Sequence, residues 1–114
     1  MGVIHIPSTA IPADRSAIET NHFTATVGRF EAPVGPRGWH HHAEHHVVAY
    51  LIAGNVRIES GPHGSIVTEP RPGDLVHIEP GTVHQEIYKG AVAIVGFTIG
   101  SGPGRVDVAG PSSG

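Results

Sequence analysis

Apolar and polar positions along the chain follow the two-residue rhythm of strands, interrupted at short intervals by glycine and proline. Residues 23–30 have the residue types of a strand, and the Pro/Gly segment 32–38 predicts the loop that ends it. Residues 47–52 form a continuous apolar run short enough for a buried strand. Ala53, Gly54 and Asn55 then mark a turn, and residues 56–59 alternate on the way back, so this stretch predicts a hairpin. Breaks at 60–64, 70–74 and Pro80-Gly81 separate predicted strands at 65–69, 75–78 and 84–88. Residues 91–99 predict the last long apolar strand, with 106–108 a short addition. Only 13–20 has the composition for a helical turn. Seven or eight short strands at this spacing predict an all-β protein, a double-sheet barrel of jelly-roll type.

Composition narrows this picture. A chain of 114 residues has room for one domain, and sixteen glycines with ten prolines are too many for a helical bundle. We expect an N-terminal arm over 1–22, a single barrel over 23–108, and a tail over 109–114. The vector-like sequence Gly110-Pro111-Ser112-Ser113-Gly114 is given no structural weight. With a net charge of −3 and no basic stripe, nucleic acid is not an expected partner. The ten histidines outnumber the seven lysines and arginines, so the net charge should change sign as pH falls from about 7 to about 5.5. Cysteine is absent, which excludes disulfides and thiolate zinc sites. Without a basic start, an early apolar run or any apolar stretch of about 18 residues, neither secretion nor membrane insertion is expected, and the expected compartment is the cytoplasm.

The chemistry-bearing signal is a pair of histidine clusters. Residues 38–46 hold His40, His41, His42, Glu44, His45 and His46; residues 73–84 hold His77 and His84. Neutral imidazole is the commonest side-chain ligand for transition metals, and two separated segments are what a fold needs to close such a site. On a strand, i and i+2 share a face, so His40 and His42 point one way and His41 the other. Extended further, the same parity adds Glu44 and His46, whereas a turn or bulge near Ala43 would exchange His46 for His45. His84, after the Pro80-Gly81 turn, is the expected fourth ligand. His77 is assigned to the pocket or a supporting position, and His5, His22 and His63 to the surface. Trp39 and Phe97 are read as packing residues, Tyr50 and Tyr88 as either packing or pocket. Glu86 shares the face of His84 and is a weak candidate for a carboxylate supporting the ligands, with a solvated strand residue the favoured reading; Arg57 is read as an exposed strand charge.

These two clusters resemble the motifs of the cupin superfamily. His40 and His42 match the HxH of its first motif, and Gly73, Gly81 and His84 fall in register with its second, so the resemblance covers roughly residues 23–99. Where the first motif carries a glutamate this chain has His46; counting back from Gly54 instead places Val47 there and leaves three histidines. Pro80 stands one place later than the motif proline.

The resemblance implies a double-stranded β-helix and one divalent transition metal, Fe, Zn, Mn, Ni or Cu, held by His40, His42, His46 and His84. It implies a metal-dependent enzyme acting on a small molecule: dioxygenase-type if the metal is iron, lyase or isomerase if it is zinc, manganese or nickel. The competing expectation is a non-catalytic small-molecule binding or carrier module. A homodimer is expected, because cupin barrels often pair through an outer apolar sheet face and a domain this small buries limited surface alone.

Overall fold

The computed structural model describes residues 2–11, 15–31, 34–100 and 104–113. Among these the chain forms nine strands: β1 (Arg15–Glu19), β2 (Phe23–Phe30), β3 (Gly35–Pro36), β4 (His40–His41), β5 (His46–Ser60), β6 (Ile66–Thr68), β7 (Leu75–Ile78), β8 (His84–Ile99) and β9 (Val106–Asp107). Two single-turn 3₁₀ helices, Ser8–Ala10 and Pro62–Gly64, are the only helical segments described.

Two long strands organise everything else. β5 and β8 pair antiparallel along their whole lengths, from His46 opposite Ile99 to Ser60 opposite His84. Midway, the register shifts on either side of Ala53, and both strands bend. Each long strand therefore contributes one half to each of two sheet layers. The first layer runs β1, β2, the C-terminal half of β8, the N-terminal half of β5, β7. The second has the N-terminal half of β8 and the C-terminal half of β5 at its centre, flanked by β6 on one side and by β3, β4 and β9 on the other. This is the expected all-β, double-stranded β-helix arrangement.

The bend corrects the hairpin expected at 53–55. Gly54 has φ of +95°, and a Cβ built on it would lie 2.1 Å from the carbonyl oxygen of Ala91. Glycine is thus required where β5 closes onto β8. The ladder to β8 resumes at Asn55, opposite Lys89, so the chain continues as one strand. In the same way Gly90, at φ +90°, lets β8 pass through the gap expected between 88 and 91.

The helical turn expected over 13–20 is also corrected. Residues 15–19 are a strand, because pairing with the free edge of β2 satisfies backbone groups that a short isolated helix would leave to water; Ala13 and Asp14 lie outside the described residues, as do Ala32 and Pro33 of the expected loop. The C-terminal tail carries structural weight after all. The amide of His63 donates to the carbonyl of Ser112 at 2.6 Å, and Trp39 lies where a Cβ on Gly64 would also approach Pro111.

Alternation sorts the first layer into two faces. Leu51, Val56, Ile58 and Val92 form the buried core, with Phe30, Val76, Tyr88 and Ile94 packed against it. The opposite face carries Tyr50 beside Leu75 and Val95, Phe97 beside Val48 and Ala25, and Ile99 beside Phe23 and His46. Phe97, expected in packing, lies on this outer face and is exposed with Tyr50, Leu75 and Ile99.

Candidate metal centre

β4 is only two residues long, yet it is held between β8 and β9. His40 pairs directly with His84 on one side and with Asp107 on the other. Directly opposed residues on adjacent strands bring their side chains together, and the His40 and His84 rings stand 4.3 Å apart between centroids. His42, two residues on, shares the face of His40 at a centroid distance of 5.0 Å and lies 5.7 Å from His84. The His42 carbonyl accepts from the amides of Gly81 (3.2 Å) and His45 (3.1 Å), which ties the two histidine segments together through the backbone. One ring nitrogen from each of His40, His42 and His84 lies within 4.8 Å of the others.

The protonation pattern suits a metal. His40 Nδ1 lies 2.8 Å from the Gly38 carbonyl, His84 Nδ1 lies 2.8 Å from the Thr82 carbonyl, and His42 Nδ1 contacts the Gly104 carbonyl. A carbonyl can only accept, so each Nδ1 carries the proton and donates. Nε2 of His40 and of His42 is left with its lone pair, as in metal sites where the second nitrogen of a ligating histidine donates to a backbone carbonyl, whereas His84 Nε2 is hydrogen-bonded to Glu86 and is freed for a metal when that proton is displaced. His40 and His84 are fully buried. A cluster of neutral imidazole lone pairs with their other nitrogens fixed is the donor set that a divalent transition ion takes.

Glu86 faces this cluster. One carboxylate oxygen lies 3.1 Å from His84 Nε2, the other 3.7 Å from His40 Nε2. Burial holds the His40 and His42 pKa values below the ordinary imidazole range, and in both the carbonyl bond pulls the other way. Burial also depresses His84, but the hydrogen bond and negative charge of Glu86 outweigh it, and its pKa is raised. Burial pushes the Glu86 carboxyl up, and the bond to His84 with the charges of the three imidazoles brings it below its ordinary value. The guanidinium of Arg105, bonded to Asp107 at 2.8 Å and to the Arg37 carbonyl at 2.9 Å, adds a positive charge that depresses His40 and His84 slightly.

The structure brings together three of the four expected ligands. His46 lies elsewhere: it is exposed, paired with Ile99 on the outer sheet face, and its ring stacks on His77 with Nδ1 and Nε2 2.9 Å apart. A turn at Ala43 and Glu44 breaks the alternation that begins at His40, so parity cannot be carried across it. Glu44 is exposed in that turn, and His45 is buried but outside the cluster, with no partner for Nδ1 among the described residues. His77 pairs with His46 rather than supporting the cluster, and it borders the same cleft as His84, the pocket position expected as its alternative. His5, His22 and His63 are exposed, as expected.

Tyr88 stacks on Phe30 at 4.9 Å, and Arg57 is engaged by Glu59 at 2.9 Å. Glu86 is the residue that sequence reasoning underrated. Its shared parity with His84 was the available signal, whereas nothing in the sequence marks the carbonyls of Gly38, Thr82 and Gly104.

Two cavities border cluster histidines and a third lies inside the barrel. An open cleft of about 820 Å³ between β6, β7 and the 79–84 turn is bordered by His84. A second, of about 540 Å³, is bordered by His42, His45 and Arg105. A third, of about 110 Å³, lies inside the barrel between the apolar core and Glu86.

No protein-family model and no curated protein matches this chain. Solved structures do. A double-stranded β-helix domain protein from Klebsiella pneumoniae is similar with a TM-score of 0.71 at 22% identity, over 91% of this chain and 90% of the other. A cupin-2 domain protein from Shewanella frigidimarina is similar at 0.60 and 22% identity, over 73% and 76% of the two chains. The chain has the cupin fold. A third neighbour, a β-barrel nucleoside dehydratase from Streptomyces, is similar with a TM-score of 0.65 at 13% identity, over 85% of this chain and 77% of the other.

Proposed function

We propose that this cupin-fold chain is a metal-dependent enzyme acting on a small molecule, with one divalent transition ion held by His40, His42 and His84. One observation carries the reading: a ring nitrogen from each of three histidines lies within 4.8 Å of the others while all three Nδ1 atoms are committed to carbonyls. Neither a solvated histidine run nor a histidine satisfied in a core needs such a pattern.

The bound ion would supply Lewis acidity, polarising a substrate oxygen or lowering the pKa of bound water, or redox chemistry if it is iron. The chain supplies the rest. Cross-strand pairing fixes His40 against His84, and the Gly81 amide fixes the turn after His42, so the donors are set before a ligand arrives. The 820 Å³ cleft beside His84 has the volume of a small-molecule site, and the 110 Å³ interior cavity admits only a small apolar group. Thr82 places a hydroxyl at the cleft, and Glu86 places a carboxylate on the wall of the interior cavity. A partly buried carboxylate beside an imidazole can hold or move a proton when it is not itself bound to the ion, which supports the lyase or isomerase branch over dioxygenation. The structural likeness to a dehydratase points the same way.

The test is elemental analysis of purified protein beside His84→Ala, followed by turnover assays. About one equivalent of a transition metal in the wild type, lost in the variant, together with elimination or isomerisation of a small hydroxylated substrate, is the expected result. Oxygen consumption by the iron-loaded protein would move the reading to dioxygenation. Tight ligand binding without turnover would make the barrel a carrier module.

A further inference from the structure

The histidine cluster supplies three donors, and the segment after His42 supplies no fourth. Glu44 is exposed in its turn and His46 stacks on His77 at the outer face; His45 and Glu86 both lie outside the three-histidine group, but Glu86 fronts ring nitrogens of two of its members. We propose that Glu86 completes the ligand set, so that the carboxylate comes from β8, two residues beyond His84, and not from the segment following His42.

Strand geometry puts Glu86 on the face of His84, and both its oxygens front nitrogens already identified as donors: 3.1 Å to His84 Nε2 and 3.7 Å to His40 Nε2. Protonation sharpens this. With Nδ1 donating to the Thr82 carbonyl, His84 also donates from Nε2 to a Glu86 oxygen, so a single proton already joins the two atoms. A divalent cation in place of that proton makes both into ligands at once. Among the described residues, Arg57 is engaged by Glu59 and Arg105 by Asp107. A set of three imidazoles and one carboxylate keeps one negative charge at the ion and adds a hard oxygen donor, which suits iron, manganese or zinc better than softer copper(I).

This inference rests on the metal reading above, and the experiment separates the two. Co²⁺ alone serves as probe, in calorimetric titration and through the visible spectrum of the bound ion. Glu86→Gln keeps the side-chain shape and removes the charge. It should weaken Co²⁺ binding by more than about 100-fold, beyond the 10- to 100-fold range typical of a group that only supports a ligand, and should alter the spectrum. Glu44→Gln and His46→Ala should leave both unchanged.

On wild-type protein, the infrared difference spectrum on adding Co²⁺ should show a carboxylate stretch shifting, a readout that does not depend on any variant folding. Binding by folded Glu86→Gln within about threefold of wild type, with an unchanged spectrum and no carboxylate shift, would overturn the assignment; loss of binding in His84→Ala would then leave the metal reading standing. A wild-type protein that binds no Co²⁺ would overturn both.

Discussion

At the residue scale, the four groups of the centre titrate in opposed directions, and this fixes how acid acts on it. His40 and His42 have folded pKa values below that of the unfolded chain, mainly through burial. Their contribution to stability is fully present above about pH 6.5 and is lost as pH falls below it, because the unfolded chain takes up protons that the folded chain refuses. His84 is raised, so its contribution is present below about pH 6.5 and is lost as pH rises through its folded value. Glu86 is lowered, and its contribution fades only when acid reaches that depressed value. The metal-free protein should therefore be most stable near pH 6.5, which thermal melts across pH 5 to 9 would check. Metal must displace the His84 proton, so apparent Co²⁺ affinity should fall about tenfold per pH unit as pH drops below the raised His84 value. A pH-independent affinity between 6 and 8 would contradict the Glu86–His84 pairing.

At the scale of elements, the bend shared by β5 and β8 sets the site. Gly54 sits where β5 crosses from one layer to the other, and any side chain there meets the Ala91 carbonyl and Val92. Gly54→Ala combines that overlap with a φ that L-residues avoid and should cost about 2 to 4 kcal/mol, measurable by denaturant titration. Here lies the limit of what the sequence could reveal. Local turn chemistry at Ala53-Gly54-Asn55 is the same for a hairpin and for a bulged bend, and only the partner strand decides between them. His40, His42 and His84 were legible because strand parity and the turn before His84 act over a few residues. His46 was misplaced because a two-residue turn resets parity, and Glu86 was undervalued because its partners arrive from another strand.

On the scale of the whole molecule, the fully buried apolar core is small, while a face of the first layer exposes Ile18, Tyr50, Leu75, Phe97 and Ile99. Cross-strand pairing makes these residues neighbours: Ile18 faces Ala25, Ala25 faces Phe97, and Tyr50 faces Leu75. Contiguous apolar surface of this kind marks an interaction site, and a second copy of the same face would cover it with self-complementary chemistry. We therefore propose a homodimer through this layer. Sedimentation velocity at micromolar concentration and pH 8 should give twice the chain mass. Phe97→Glu should give a monomer. That variant should still bind metal, since Phe97 points away from the His40, His42 and His84 cluster. A wild-type monomer at pH 8 would leave the exposed face without a partner and remove the dimer from the account, while the centre inside the barrel would be unaffected.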